Sequence, residues 1–181
     1  MKYANTLETM LAKQDIADCL ARYARGVDRA DADMLHSCYF VDSIEEHGST
    51  YSGPARAYID GAIERMKGGD VMGHYLCNLH VEFESDALAY AECYVLTFAR
   101  FAKNGEKWDT LTGGRIVDRF EKRAGKWGIA HRVCVNEYAG AFTAIGTPAE
   151  YLAMMKSTGP DTRDKTDVSY VRPLTKDRSP S

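Results

Sequence analysis

The sequence predicts an α+β fold: a strongly curved, mostly antiparallel sheet, shaped as a half-barrel or cone, with N-terminal helices closing an apolar cavity. Three observations predict it. The first third of the chain carries apolar residues at helical spacing. From Tyr75 onward the spacing changes to strict alternation, the signature of strands. The alternating runs reach 12 residues or more, and strands of that length coil strongly.

Ile16, Leu20, Tyr23 and Val27 fall at steps of four, three and four, which makes one stripe of an amphipathic helix. Asp31-Ala-Asp33 interrupts it, and Asp33 is placed to cap a short second helix through Leu35 and Cys38. Ile44 to Ser52 reads as a short strand pair or a turn. Gly53-Pro54 then starts a third helix that carries Ala57, Ile59, Ala62, Ile63 and Met66. Gly68-Gly69 ends it.

The strands follow as Tyr75 to Phe83, Ala89 to Phe101, Lys107 to Glu121 and Trp127 to Tyr138. Asn104-Gly105 and Gly125 mark tight hairpins between them. Gly113-Gly114 has no helix after it to hold a phosphate, so it reads as a bend in a strand. Thr147 to Lys156 reads as a short helix. One domain over residues 1–159 is followed by a polar stretch, 160–181, expected to be an extended or disordered tail.

Composition narrows the function. Net charge is −3 and both signs are mixed along the chain, so no basic stripe suits nucleic acid. No apolar run has the length of a membrane span, and no signal pattern precedes the first helix, so the protein is expected in the cytoplasm. Five cysteines, without a CxxC pair, read as free thiols; all but Cys38 have apolar neighbours. No Cys, His or carboxylate spacing matches a metal site, so neither metal nor cofactor is expected.

Ionisable residues among apolar ones mark the candidate site. Asp28 ends the first helix beside the buried stripe, His74 begins the first long strand, and Arg132 lies in the middle of the last one. Alternation puts Arg132 with Cys134 and Asn136 on one face, and Trp127, Ile129 and Val133 on the other. Tyr23 is close enough along the first helix to direct its hydroxyl into the same cavity. Each has an ordinary structural reading as well: Asp28 ending a helix, His74 capping a strand, Arg132 pairing with Asp109 or Glu137. If they converge, they suit proton abstraction. A carboxylate fixes the imidazole tautomer and supports the imidazolium, while an arginine stabilises developing charge.

Three stretches carry a family resemblance: Tyr23-Ala-Arg-Gly-Val-Asp28-Arg-Ala-Asp31-Ala-Asp33, Gly73-His74-Tyr75-Leu76-Cys77-Asn78, and Gly114-Arg115-Ile-Val-Asp118-Arg-Phe120 with Gly125-Lys-Trp127-Gly-Ile129-Ala-His-Arg132. From about Ala12 to Tyr138 the chain strongly resembles the SnoaL-like proteins of the nuclear transport factor 2-like superfamily. Arg163-Asp164 and Asp167-Val-Ser-Tyr170 look like that group's C-terminal extension.

The resemblance implies a cofactor-independent lyase of the kind found in scytalone dehydratase, bile-acid 7α-dehydratase and hexachlorocyclohexane dehydrochlorinase. By resemblance, Asp28 and His74 are the Asp–His dyad, Arg132 is the arginine of the last strand, and Tyr23 is a helper. The chain departs from some steroid dehydratases where they carry a further acid on the second long strand; Thr97 is the nearest residue here. The expected substrate is a small hydrophobic cyclic, steroid-like molecule. Alternatives on the same scaffold are an isomerase, a polyketide cyclase, or a non-catalytic binding subunit such as the small subunit of a ring-hydroxylating dioxygenase. The resemblance also implies a homo-oligomer, a trimer ahead of a dimer.

Overall fold

The structure, a computed structural model, describes residues 6–66, 71–143 and 162–175. Helix α1 (Leu7–Asp28) starts at Thr6, whose hydroxyl accepts the Thr9 N–H at 3.2 Å, and buries Ile16, Cys19, Leu20, Tyr23 and Val27. Helix α2 (Ala32–His36) is capped by Asp31, whose carboxylate accepts the Met34 N–H at 3.1 Å. The expected cap, Asp33, lies instead in the first turn. The chain already turns at Ala30, where φ is 49°, so the helix begins one step earlier than the spacing implied. Helix α3 spans Ala55–Met66.

Six strands form one sheet: β1 (Tyr39–His47), β2 (Tyr51–Pro54), β3 (Val71–Ser85), β4 (Leu88–Lys103), β5 (Glu106–Arg123) and β6 (Lys126–Thr143). Their order is β2-β1-β6-β5-β4-β3, antiparallel throughout except where β1 runs parallel to β6. The sheet does not close into a full barrel, because its edge strands β2 and β3 do not pair. The helices and the inner sheet face share one core, which runs from Ile16 and Leu20 to Cys93, Ile116, Phe120, Trp127 and Ile129. The α+β architecture with N-terminal helices matches the sequence expectation.

Two irregularities shape the concave face. At Gly113 and Gly114 the β5–β6 register shifts, and a Cβ on Gly114 would lie 2.0 Å from the Val135 carbonyl oxygen. No side chain fits that approach, so glycine permits the bend. Further along, Phe120 faces Ile129 while Arg119 faces His131, which leaves Ala130 unpaired. This bulge reverses the side-chain alternation. Trp127 and Ile129, expected on the face opposite Arg132, are therefore buried in the same interior.

The cysteines differ in part from expectation. Cys19, Cys38 and Cys93 are buried and Cys134 is half-buried, whereas Cys77 is exposed on β3. Cys38 is buried because α2 turns it back on α1, where its thiol donates to the Cys19 carbonyl. All five are free thiols.

The helix expected at Thr147 to Lys156 lies outside the described residues. Where an extended or disordered tail was expected, residues 162–175 form turns and a 3-10 helix, Val168–Tyr170, against the end of α1. Arg163 donates to the Asp28 carbonyl at 3.2 Å and the Met66 carbonyl at 3.0 Å, satisfying acceptors that a helix C-terminus leaves open. Tyr170 donates to Asp31 at 2.8 Å, and Arg29 faces the buried Asp167 at 3.2 Å. Arg163, Lys165 and Tyr170 pair with the end of α1 and the start of α2, while Thr162, Asp164 and Thr166 bond one another.

Candidate active site

Asp28 is the last residue of α1, and His74 is the fourth residue of β3. A carboxylate at a helix C-terminus faces the negative end of the helix dipole. Arg163, bonded to the last carbonyls, offsets that placement. The His74 ring Nδ1 lies 2.7 Å from Asp28 Oδ1. The His74 backbone N–H also donates to both carboxylate oxygens, at 3.1 and 3.2 Å. A carboxylate only accepts, so Nδ1 carries a proton, and in the neutral ring that leaves the lone pair on Nε2. Among the described residues Nε2 has no hydrogen-bond partner.

Three hollows meet at His74. A groove of about 580 Å³ runs between α1 and β3, lined by Leu20, Ala21, Ala24, Asp28, Leu76, Leu79 and Cys93 among others. Inside the cone lie a hollow of about 240 Å³ over β4 to β6 and one of about 130 Å³ toward α3. The two inner hollows share Tyr23, His47, Tyr58 and His74, so they form adjoining lobes of one interior. Thr97 pairs with His74 across β3–β4 and lines the larger lobe with a neutral hydroxyl.

Tyr23 reaches this interior as the sequence implied. Burial pushes its phenol well above the ordinary range, opposed by the charge of Arg132, so the ring presents a neutral hydroxyl. Arg132 does not open into the cavity. It is wholly buried and bonds Asp118 through Nε and Nη2, both at 2.7 Å, while its guanidinium stacks 4.0 Å over the Tyr23 ring. The two residues are direct cross-strand partners, which fixes the pair. Asp109 and Glu137, the partners considered from the sequence, pair instead with Arg100 and Arg115. The structure thus brings Asp28, His74 and Tyr23 to the cavity and puts Arg132 behind Tyr23.

Sequence reasoning missed a second cluster. Glu45 and His47 alternate on β1, and the parallel register sets them opposite Arg132 and Cys134 of β6. His47 Nε2 lies 2.8 Å from Glu45 Oε1 and 3.3 Å from Cys134 Sγ, while its Nδ1 lies 3.1 Å from the Tyr58 hydroxyl. Glu45, His47 and Cys134 are a donor set able to hold a metal ion, with ligand atoms within 4.8 Å of one another. Hydrogen bonds within the cluster already join all three, and burial pushes the Cys134 thiol up to about 12, which keeps it protonated. The readable signal was Ser43-x-Glu45-x-His47, polar residues alternating with Ile44, with Ser43 and Glu45 buried and Ile44 exposed, the opposite sense to a normal half-buried strand.

Comparison with known proteins decides the family. The profile of the SnoaL-like domain matches residues 8–133. The chain belongs to the SnoaL-like family. Solved structures extend the likeness in fold. A type 3 hexachlorocyclohexane dehydrochlorinase from Novosphingobium barchaimii superimposes with a TM-score of 0.70 at 17% identity, over 78% of this chain and 97% of that one. A scytalone dehydratase candidate from Novosphingobium aromaticivorans gives 0.68 at 16% identity, over 76% and 92%. An aromatic ring hydroxylase candidate from the same species gives 0.62 at 19%, over 71% and 92%. No curated protein matches the chain. At these identities the solved structures show a shared fold alone.

Proposed function

We propose that this SnoaL-like protein is a lyase that eliminates water or HCl from a hydrophobic, cyclic, steroid-like substrate. His74 Nε2 takes the proton, Asp28 holds the tautomer and stabilises the imidazolium, and Tyr23 assists at the reacting end. Arg132 acts through Tyr23, whose ring it supports. The observation that carries this reading is the 2.7 Å Asp28–His74 contact beside an inner lobe lined by Val27, Leu35, Ile59, Ala62 and Met66, with Nε2 left for a substrate. The dyad needs no cofactor to abstract a proton. The names of two structural neighbours, a dehydrochlorinase and a scytalone dehydratase candidate, agree with that chemistry.

The test is a screen of steroid, terpenoid and halogenated cyclic compounds, followed by mass analysis. A product lighter by water or HCl is expected. A product of unchanged mass would turn the reading to an isomerase or cyclase, which uses the same base without a leaving group. Binding without any turnover across the set would favour a non-catalytic subunit.

Assembly is a second proposal. Tyr75, Tyr90, Tyr94, Leu111 and Tyr138 are exposed on long strands. Apolar residues exposed on long strands offer a surface for self-association, and a homotrimer would cover them. Light scattering at micromolar concentration is expected to give three times the chain mass; a monomer would refute it.

A further inference from the structure

The cluster of Glu45, His47 and Cys134 borders the same interior as the dyad but has no part in its proton transfer. We propose that the three residues form a site for one divalent ion of zinc's class, with a further position open to the cavity for an oxygen ligand. The site stands on its own donors and does not depend on the proposed elimination.

The donors come from two paired strands. Glu45 and His47 alternate on β1, and the parallel register sets His47 beside Cys134 of β6. No spacing along the sequence reveals the set, because only that pairing brings Cys134 to it. The ligand atoms lie within 4.8 Å of one another, with His47 Nε2 2.8 Å from Glu45 Oε1 and 3.3 Å from Cys134 Sγ. Around a tetrahedral zinc ion, bonds of about 2.0 Å to oxygen and nitrogen and about 2.3 Å to sulfur give edges of roughly 3.3 and 3.5 Å. The cluster therefore has to open by no more than about half an ångström to hold the ion. Sulfur and imidazole donors suit zinc rather than magnesium or calcium, which take oxygen.

Two further features point to an ion rather than to a closed hydrogen-bonded cluster. Glu45 is 1% exposed, yet its Oε2 is buried without a hydrogen-bond partner. No lysine or arginine pairs with it among the described residues, because Arg132, its neighbour across β1–β6, is taken up by Asp118. A buried carboxylate with a bare oxygen and no fixed cation is satisfied by a bound one. The second feature is the support behind His47. Its Nδ1 lies 3.1 Å from the Tyr58 hydroxyl, and the two rings stack with centroids 4.1 Å apart. With Nε2 on the metal, Nδ1–H donates to that hydroxyl, the arrangement that fixes a ligand imidazole.

Binding balances in charge and protons. The ion displaces the Cys134 thiol proton to solvent, and Glu45 with the resulting thiolate cancels its two positive charges. Neutral His47 supplies the Nε2 lone pair. Three protein ligands leave one tetrahedral position, as in catalytic zinc sites. His47 and Cys134 line the larger inner lobe together with Tyr23 and His74. The remaining position therefore takes water, or a carbonyl or hydroxyl oxygen of a molecule held in that lobe.

The test uses the full chain without an affinity tag, stripped with chelator and kept reduced. Equilibrium dialysis against zinc, read by elemental analysis, is expected to give one ion per chain, undisturbed by excess magnesium. Cobalt(II) in its place is expected to give a near-ultraviolet thiolate-to-cobalt band. Cys134→Ser is expected to abolish that band. Both Cys134→Ser and Glu45→Gln are expected to weaken zinc binding by at least roughly 100-fold, the upper end of what losing a residue behind the ligands costs. Tyr58→Phe is expected to cost roughly 10-fold, and Cys77→Ser, at an exposed thiol, nothing. Wild-type protein that takes up no stoichiometric zinc overturns the site, so a variant that fails to fold does not shield it. Zinc held equally well by folded Cys134→Ser, or a band lost in Cys77→Ser, places the ion elsewhere and overturns it too.

Discussion

Asp28→Asn is expected to lower elimination by at least roughly 100-fold, the scale of lost general-base catalysis, with the fold unchanged. The substitution is isosteric, and an amide oxygen in the place of Oδ2 still accepts the His74 backbone N–H now bonded there at 3.2 Å. What changes is the ring contact at 2.7 Å. An amide NH2 turned toward Nδ1 donates, so Nδ1 becomes the acceptor and the proton moves to Nε2, where the substrate needs a lone pair. The imidazolium also loses its counter-charge. His74→Ala removes the base itself and is expected to do at least as much harm. The double variant is expected to be little worse than His74→Ala, because the two act as one unit. The measurement is turnover with each variant beside circular dichroism and thermal melting. A folded Asp28→Asn protein with wild-type turnover would remove the dyad from the mechanism.

Both members of that pair were legible in the sequence because each sits at a boundary that local pattern locates. The stripe from Ile16 to Val27 places Asp28 at a helix end, and the onset of alternation places His74 at a strand start. The hairpins at Asn104-Gly105 and Ala124-Gly125 were legible for a similar reason: all four residues have positive φ, between 51° and 81°. The misreadings come from terms that are not local. Ala130 reverses the face of Trp127 and Ile129 because β5 and β6 are out of step there, and no alternation count along β6 contains that information. Glu45 and His47 acquire their setting only through the parallel pairing with β6, which joins residues 87 apart in the chain. Arg163 and Tyr170 looked like solvated tail residues, but the end of α1 and the Asp31 cap of α2 supply their partners.

The Arg132–Asp118 pair gives the largest expected effect on stability, and its two halves behave differently with pH. Burial favours the neutral form of both groups. For Arg132 burial is the largest influence, but Asp118 with Tyr39 and Tyr23 together outweigh it and the cation is held firmly; for Asp118 burial wins and the carboxyl sits above its ordinary range despite the arginine. Arg132→Met keeps an unbranched chain of similar length but strips Asp118, 1% exposed, of both hydrogen bonds. At neutral pH the variant is expected to lose roughly 3–5 kcal/mol, the cost of leaving a buried charge unpaired. The sign with pH follows from linkage. A carboxyl whose folded pKa lies above its unfolded value binds more protons when folded, so its stabilisation is present in acid and lost as pH rises through the folded pKa. Removing Arg132 raises that folded pKa further, so the deficit against wild type is expected to shrink as the solution is made mildly acidic. Adding Asp118→Leu to Arg132→Met removes the stranded charge and is expected to recover most of the loss and abolish its pH dependence. Urea unfolding of the three proteins at neutral and mildly acidic pH measures this directly. A deficit that grows in acid, or a double variant no more stable than Arg132→Met, would mean that the pair is not what holds β5 to β6 behind Tyr23.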